Sequence, residues 1–154
     1  SIMRRVIQCA SEDVGLADPQ ALIISNAALD ITKNLGMPEA RYSILQATTY
    51  VALAPKSNSI LEAYMKLKAD IDKNPDLVIP LHLRNAPTRL MKELDYGKNY
   101  MYAHNYEIPV TGMQCLPDKL KENKYYTPKP FGFEKELDRR LKNIEAIKNR
   151  MPED

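Results

Sequence analysis

Glycine, cysteine, histidine and net charge are all scarce in this chain, and each shortage narrows what it can do. Five glycines are spread over 154 residues, and none falls within Ala54-Pro55-Lys56-Ser57-Asn58, which otherwise sets a lysine and a serine ahead of a helix as a phosphate-binding loop does. Without glycine the backbone cannot wrap its amides around a phosphate, so the stretch reads as a helix cap. Cys9 and Cys115 stand 106 positions apart, which excludes metal spacing. With no signal-peptide pattern ahead of them they are expected to be reduced thiols in the core of an intracellular protein. His82 and His104, 22 residues apart with no second paired ligand, make no zinc or iron motif. No apolar run approaches the roughly 20 residues of a membrane-spanning helix. A formal net charge of +2 is too small to draw a polyanion by itself, so any basic patch has to be local.

What remains is an ordinary globular composition, 44% hydrophobic and 27% charged, at a length that suits one domain over residues 1–154. The opening, Ser1-Ile2-Met3-Arg4-Arg5, enters a helical pattern without an initiator methionine and reads as a segment of a longer chain. Val6, Ile7, Ala10 and Val14 recur at helical spacing before Gly15, a left-handed stop. Asp18-Pro19 caps the next helix, in which Ile24, Ala28, Ile31 and Leu35 share a face before Gly36. In a third, Ile44, Ala47, Val51 and Ala54 form a face that Leu45, Ala52 and Leu53 widen, until Pro55 ends it. Ser57 opens a fourth with Ile60, Tyr64, Leu67 and Ile71 in line and a Glu62–Lys66 surface pair. The expected helices are about 2–14, 19–35, 39–54, 57–73, 87–94 and 132–150. The last carries Phe133, Leu137, Leu141, Ile144, Ile147 and Met151 on one side and alternating charges on the other, a solvated face. The fold class is therefore all-α, a single helical domain of five to six helices, with a long irregular arm at about 96–130.

That arm raises the functional question. Gly97, Pro109, Gly112, Pro117, Pro128 and Pro130 break its periodicity, leaving room for short strands around 100–103 and 110–116, a short β-hairpin. Structureless connections beyond roughly 12–15 residues are uncommon in compact domains unless they serve a purpose. Tyr96, Tyr100, Tyr102, Tyr106, Tyr125 and Tyr126 are too apolar for a free linker, and tyrosine is enriched at protein interfaces. These six are the interface candidates. Arg84, Arg89, Lys92 and Lys98 lie near the same tyrosines, a mixture suited to phosphate contact and base stacking. The alternative reading is thus a nucleic-acid module that contacts single-stranded DNA. A serine and two acids in Ala10-Ser11-Glu12-Asp13-Val14-Gly15 have no local base and read as surface charge at a helix end. Nothing recruits a cofactor or nucleophile for a small enzyme built on His104 and tyrosines, and no catalytic, cofactor-binding or metal residue is assigned.

The stretches RRVIQCASEDVGLADPQAL, APKSNSI, PLHLRNAPTRLMKEL and YGKNYMYAH together resemble the C-terminal region of the RarA/MgsA family of AAA+ ATPases, which includes the Werner-helicase-interacting ATPase of eukaryotes. The resemblance runs from about Arg4 to about Ile147. It implies an all-helical domain that assembles the protein into a homotetramer, attached to a clamp-loader-like DNA-dependent ATPase acting in replication, recombination and repair at stalled forks. ATP and magnesium would belong to that ATPase domain, with no cofactor in this segment. DNA and a single-stranded-DNA-binding protein would be partners, without a membrane, and the location cytoplasmic, nucleoid-associated in bacteria or nuclear in eukaryotes. Asp95 and Asn99 stand where the family frequently has glycine, and Asn105 where it frequently has aspartate. Aspartate tolerates a left-handed backbone better than most residues, so a turn at 95 is expected to survive.

Overall fold

The structure is a computed structural model and describes residues 2–151. It is all-helical, with no strand among the described residues: α1 (Ile2–Cys9), α2 (Gln20–Leu35), α3 (Arg41–Leu53), α4 (Ser59–Lys73), α5 (Arg89–Glu93) and α6 (Glu134–Lys148), joined by short π and 3-10 turns. No described helix is long and apolar enough to cross a membrane. The chain forms two compact units, unit 1 from Ser1–Lys66 and Tyr125–Arg139, unit 2 from Leu67–Lys124 and Arg140–Asp154.

Unit 1 is built on small residues. Met3 and Val6 of α1, then Ala10 and Val14 of a following π turn, line one side and are buried. Gly15, at φ +53°, ends that run and donates its N–H to the Ala10 carbonyl. Cys9 falls off this line and is exposed, as is Cys115; neither is the core thiol expected of it, because the buried steps run 3, 6, 10, 14. Asp18 starts α2 by accepting the Gln20 N–H at 3.1 Å on Oδ1, and its other oxygen accepts the Tyr50 hydroxyl of α3 at 2.8 Å. The buried residues of α2 are Ala21, Ser25 and Ala28, with Ile24 partly buried against the core; of the Ile24-Ala28-Ile31-Leu35 line of the periodicity, Ile31 and Leu35 are exposed. Small side chains let α2 and α3 approach closely, and Ser25 satisfies its buried hydroxyl by donating to the Ala21 carbonyl at 2.7 Å. From α3, Ala47 and Val51 are buried and Ile44 packs partly against them. Leu45, Ala52 and Leu53 do not widen this face; all three are exposed.

Unit 2 has few helical turns and is held mainly by polar links. Lys119 pairs with Asp76 at 2.8 Å, the Asn123 side-chain amide donates to Asp70 at 2.8 Å, Lys124 meets Glu145 at 2.6 Å, and His82 Nε2 donates to the Gln114 carbonyl at 2.7 Å. Thr88 caps α5, its hydroxyl oxygen accepting the Met91 N–H at 3.3 Å. The turn after α5 is left-handed at Asp95 (φ +63°), Gly97 (φ +73°) and Asn99 (φ +64°), so Asp95 and Asn99 take the conformation that glycine supplies elsewhere. No strand forms at 100–103 or 110–116: the left-handed residues curl the chain on entry, and Ala103–Asn105 turns it again as a 3-10 helix.

Candidate self-association surface

With alanines and a serine turned inward, the larger apolar residues of the same helices in unit 1 face out. α2 displays Leu22, Ile23 and Leu35; α3 displays Tyr42, Leu45 and Leu53; the first half of α4 displays Ile60, Leu61, Tyr64 and Met65. Leu53 is 82% exposed and Tyr42 68%. Scattered exposed apolar side chains are normal, but eleven large ones, these ten and Ile31 of α2, on three successive helices of one small unit are not. The apolar line of α4 exists as the periodicity predicts, yet it is uncovered: Ile60, Tyr64, Leu67 and Ile71 are all exposed.

The six tyrosines are divided between the two units. Tyr100, Tyr102 and Tyr106 come together in unit 2 around a recess of about 460 Å³, completed by Asn99, Met101 and Asn105. Tyr100 and Tyr102 are about half exposed, and the Tyr102 ring tilts against His104 with centroids 5.1 Å apart. Tyr96 is fastened elsewhere: the Arg84 guanidinium lies 5.2 Å from its ring centre and donates to its hydroxyl at 3.2 Å. Tyr125 and Tyr126 belong to unit 1 and are partly buried. Burial pushes the Tyr126 phenol above its ordinary range, with the charges of Glu134 and Asp138 adding to the effect. Its hydroxyl is buried without a hydrogen-bond partner among the described residues.

Three of the four basic candidates are already engaged. Arg84 also donates Nε to the Ile79 carbonyl at 2.8 Å, Arg89 pairs with Glu93 at 2.9 Å, and Lys98 with Asp95 at 3.0 Å. A phosphate would have to compete for each of them.

In the Ala54–Asn58 stretch the lysine and the serine both turn onto the protein itself. Lys56 Nζ turns back onto the end of α3, donating to the carbonyls of Val51 at 2.8 Å and Ala52 at 3.3 Å, and to that of Ala54. This neutralises the negative end of the helix. The Ser57 hydroxyl donates to the Glu134 carboxylate at 2.7 Å. The lysine and the serine are therefore both engaged within the chain. Among the described residues no group of three or more His, Cys, Asp or Glu side chains is placed to hold a metal ion.

Sequence reasoning missed Glu134. At the head of a highly charged helix it reads as solvated, yet it is completely buried. The available signal was Ser57-x-Ser59 at one helix start and a glycine two residues before Glu134 at another, 75 residues on. Glu62 also differs from expectation: its main partner is Lys129 at 2.7 Å, which lowers its pKa, while Lys66 adds a smaller attraction through space.

The family model described as "MgsA AAA+ ATPase C terminal" matches residues 1–145. Replication-associated recombination protein A of Coxiella burnetii is 43% identical over 141 residues, covering 91% of this chain and 32% of that protein. Its namesake in Escherichia coli K12 is 41% identical with the same coverage. ATPase WRNIP1 of Dictyostelium discoideum is 40% identical over 126 residues, 81% of this chain and 14% of that protein. The chain thus spans about a third of the length of the bacterial relatives and less of the eukaryotic one. On these matches, the chain belongs to the MgsA family of AAA+ ATPases and corresponds to their C-terminal region.

Proposed function

We propose that this chain is the self-association module of a AAA+ ATPase that acts in DNA replication, recombination and repair, and that it holds four copies together. The observation that carries this reading is the outward-facing apolar set on α2, α3 and α4 of unit 1. Burial is worth roughly 25 cal/mol per Å² of apolar surface, so such side chains are stabilised by a cover. Covering one copy with another is the simplest closed solution. The recess formed by Tyr100, Tyr102 and Tyr106 adds a second patch suited to a protein contact.

The names of the relatives support the setting: replication-associated recombination for the bacterial proteins, an ATPase for the eukaryotic one. In this reading ATP hydrolysis, with its magnesium, belongs to a separate domain of the parent protein and this segment performs no catalysis. The parent works in the cytoplasm or nucleoid, or in a nucleus, at stalled forks beside DNA and its single-strand-binding protein. Gathering four ATPase modules makes weak DNA contacts multivalent through effective concentration. Sedimentation equilibrium of the chain tests the reading: a concentration-dependent mass rising to four protomers supports it, and a monomer at tens of micromolar overturns it. Direct DNA contact through Arg84, Arg89, Lys92 and Lys98 has less behind it, since three of the four are engaged within the chain. Salt-sensitive binding of single-stranded DNA by the purified chain would restore it.

A further inference from the structure

Helix α4 is fixed in unit 1 in a way helices seldom are. An amphipathic helix normally stays in place by burying an apolar stripe. Here Ser59 is the only buried residue of α4, while Ile60, Leu61, Tyr64 and Met65 in its first half are all exposed. A polar clamp takes over the task of the missing stripe. One carboxylate oxygen of the fully buried Glu134 accepts the hydroxyls of Ser57 at 2.7 Å and Ser59 at 2.5 Å, and the other accepts the Lys129 N–H. One turn further along α4, Glu62 receives the Lys129 ammonium at 2.7 Å. The segment carrying Glu134 is itself seated: the Phe133 N–H donates to the Ala17 carbonyl at 2.7 Å. At the preceding Gly132 (φ +52°) a Cβ would lie 2.1 Å from that same carbonyl oxygen.

Resting on the self-association reading, we propose that Glu134 is the positioning residue of the contact surface. It holds the start of α4 so that Ile60, Leu61, Tyr64 and Met65 are presented to a second copy at a fixed angle. Hydrogen bonds to an ionised carboxylate are strong and directional, whereas apolar contacts tolerate sliding. Removing the carboxylate strands two hydroxyls and an N–H in a dry site, and the start of α4 loses its register.

The test uses the full chain with two readouts, amide hydrogen exchange along residues 59–66 and the self-association constant by sedimentation. In Glu134→Ala, exchange over 59–66 should rise at least about tenfold relative to that of α2, and association should weaken by a similar factor. Glu134→Gln retains a carbonyl oxygen for the two serines but sets an NH₂ against the Lys129 N–H, so it should fall between Ala and wild type in both readouts. It also serves as the folded variant if Ala unfolds. Val6→Ala, which weakens the core on α1, should leave the ratio of α4 to α2 exchange unchanged. The proposal is overturned if Glu134→Ala speeds α2 and α4 equally, or loosens α4 while association stays intact. A wild-type chain that remains monomeric sinks the display role together with the self-association reading, while exchange in Glu134→Ala still shows whether the clamp holds the helix.

Discussion

Unit 1 and unit 2 stabilise themselves by different means. Of the twelve buried apolar side chains among the described residues, eleven lie in unit 1 and only Leu120 in unit 2. Unit 1 excludes water with Met, Val and Ala. Unit 2 relies on ion pairs, side-chain hydrogen bonds and tight turns, and contains a half-open cavity of about 560 Å³ lined by Val78, Ile79, Leu81 and Pro117 among others. Exposed ion pairs contribute little, with a median near 0–1 kcal/mol, so unit 2 has little of its own to resist opening. An apolar core and a polar scaffold thus coexist in one chain, and only the first has the makings of independent stability.

The largest expected effect tests the seat of the clamp in unit 1. Gly132→Ala forces a Cβ into the Ala17 carbonyl at a left-handed backbone position and should cost about 3 kcal/mol or more, read as a lower denaturant midpoint. Substituting Ala at Gly112, where a Cβ meets nothing within 4 Å, is the matching control in unit 2 and should leave the midpoint nearly unchanged. Next comes Leu120→Ala, which should cost about 2–3 kcal/mol. Because Leu120 is the single buried side chain of unit 2 among the described residues, the loss should appear as local opening, with unit 2 amides exchanging faster while those of α2 and α3 hold. A uniform increase in both units would erase the contrast drawn above. Changing Tyr100 or Tyr102 to Ala should leave stability almost untouched and weaken self-association by about three- to tenfold, measured by sedimentation. Unchanged mass would confine the contact to the helices of unit 1.

The smallest effect is a pH dependence. Hydrogen bonds from Lys129 to Glu62, and from Lys119 to Asp76, hold both carboxyls below the ordinary carboxylate range. Folded values that are lowered mean the stabilisation is complete above the ordinary range and disappears as pH falls through the folded values. Glu62 belongs to unit 1, whose apolar core does not titrate, and Asp76 to unit 2, which has one buried apolar side chain among the described residues, so acidification should loosen unit 2 before unit 1. Amide exchange near pH 7 and near pH 3 checks the order, and simultaneous opening would break it.

Much of the fold is legible in the sequence because its signals are local. Gly15, Asp18-Pro19, Gly36 and Pro55 mark helix ends through backbone chemistry that needs no tertiary knowledge. The orientation of α2 is only partly legible: Ile24 and Ala28 do face the core, but Ala21 and Ser25 take the places beside them while Ile31 and Leu35 are exposed, because close helix packing prefers small side chains. The exposure of α4 escapes for a related reason, since periodicity shows that a face is apolar and is silent about what covers it. The tyrosine-rich stretch announces itself by composition, but its division between the two units depends on contacts made far away in sequence. Glu134 and Lys56 are hardest of all, because a charge in a charged neighbourhood looks solvated until its distant acceptors or donors are known.

Unit 1 is also discontinuous, with residues 67–124 emerging from the ribosome before the segment that completes it. A nascent chain stalled before residue 125 has Ser57 and Ser59 waiting for an acceptor not yet synthesised, and the beginning of α4 is held only through the Ser57 N–H on the Asp13 carbonyl. On the self-association proposed above, the first half of α4 becomes ready to pair only after residues 125–139 have been made.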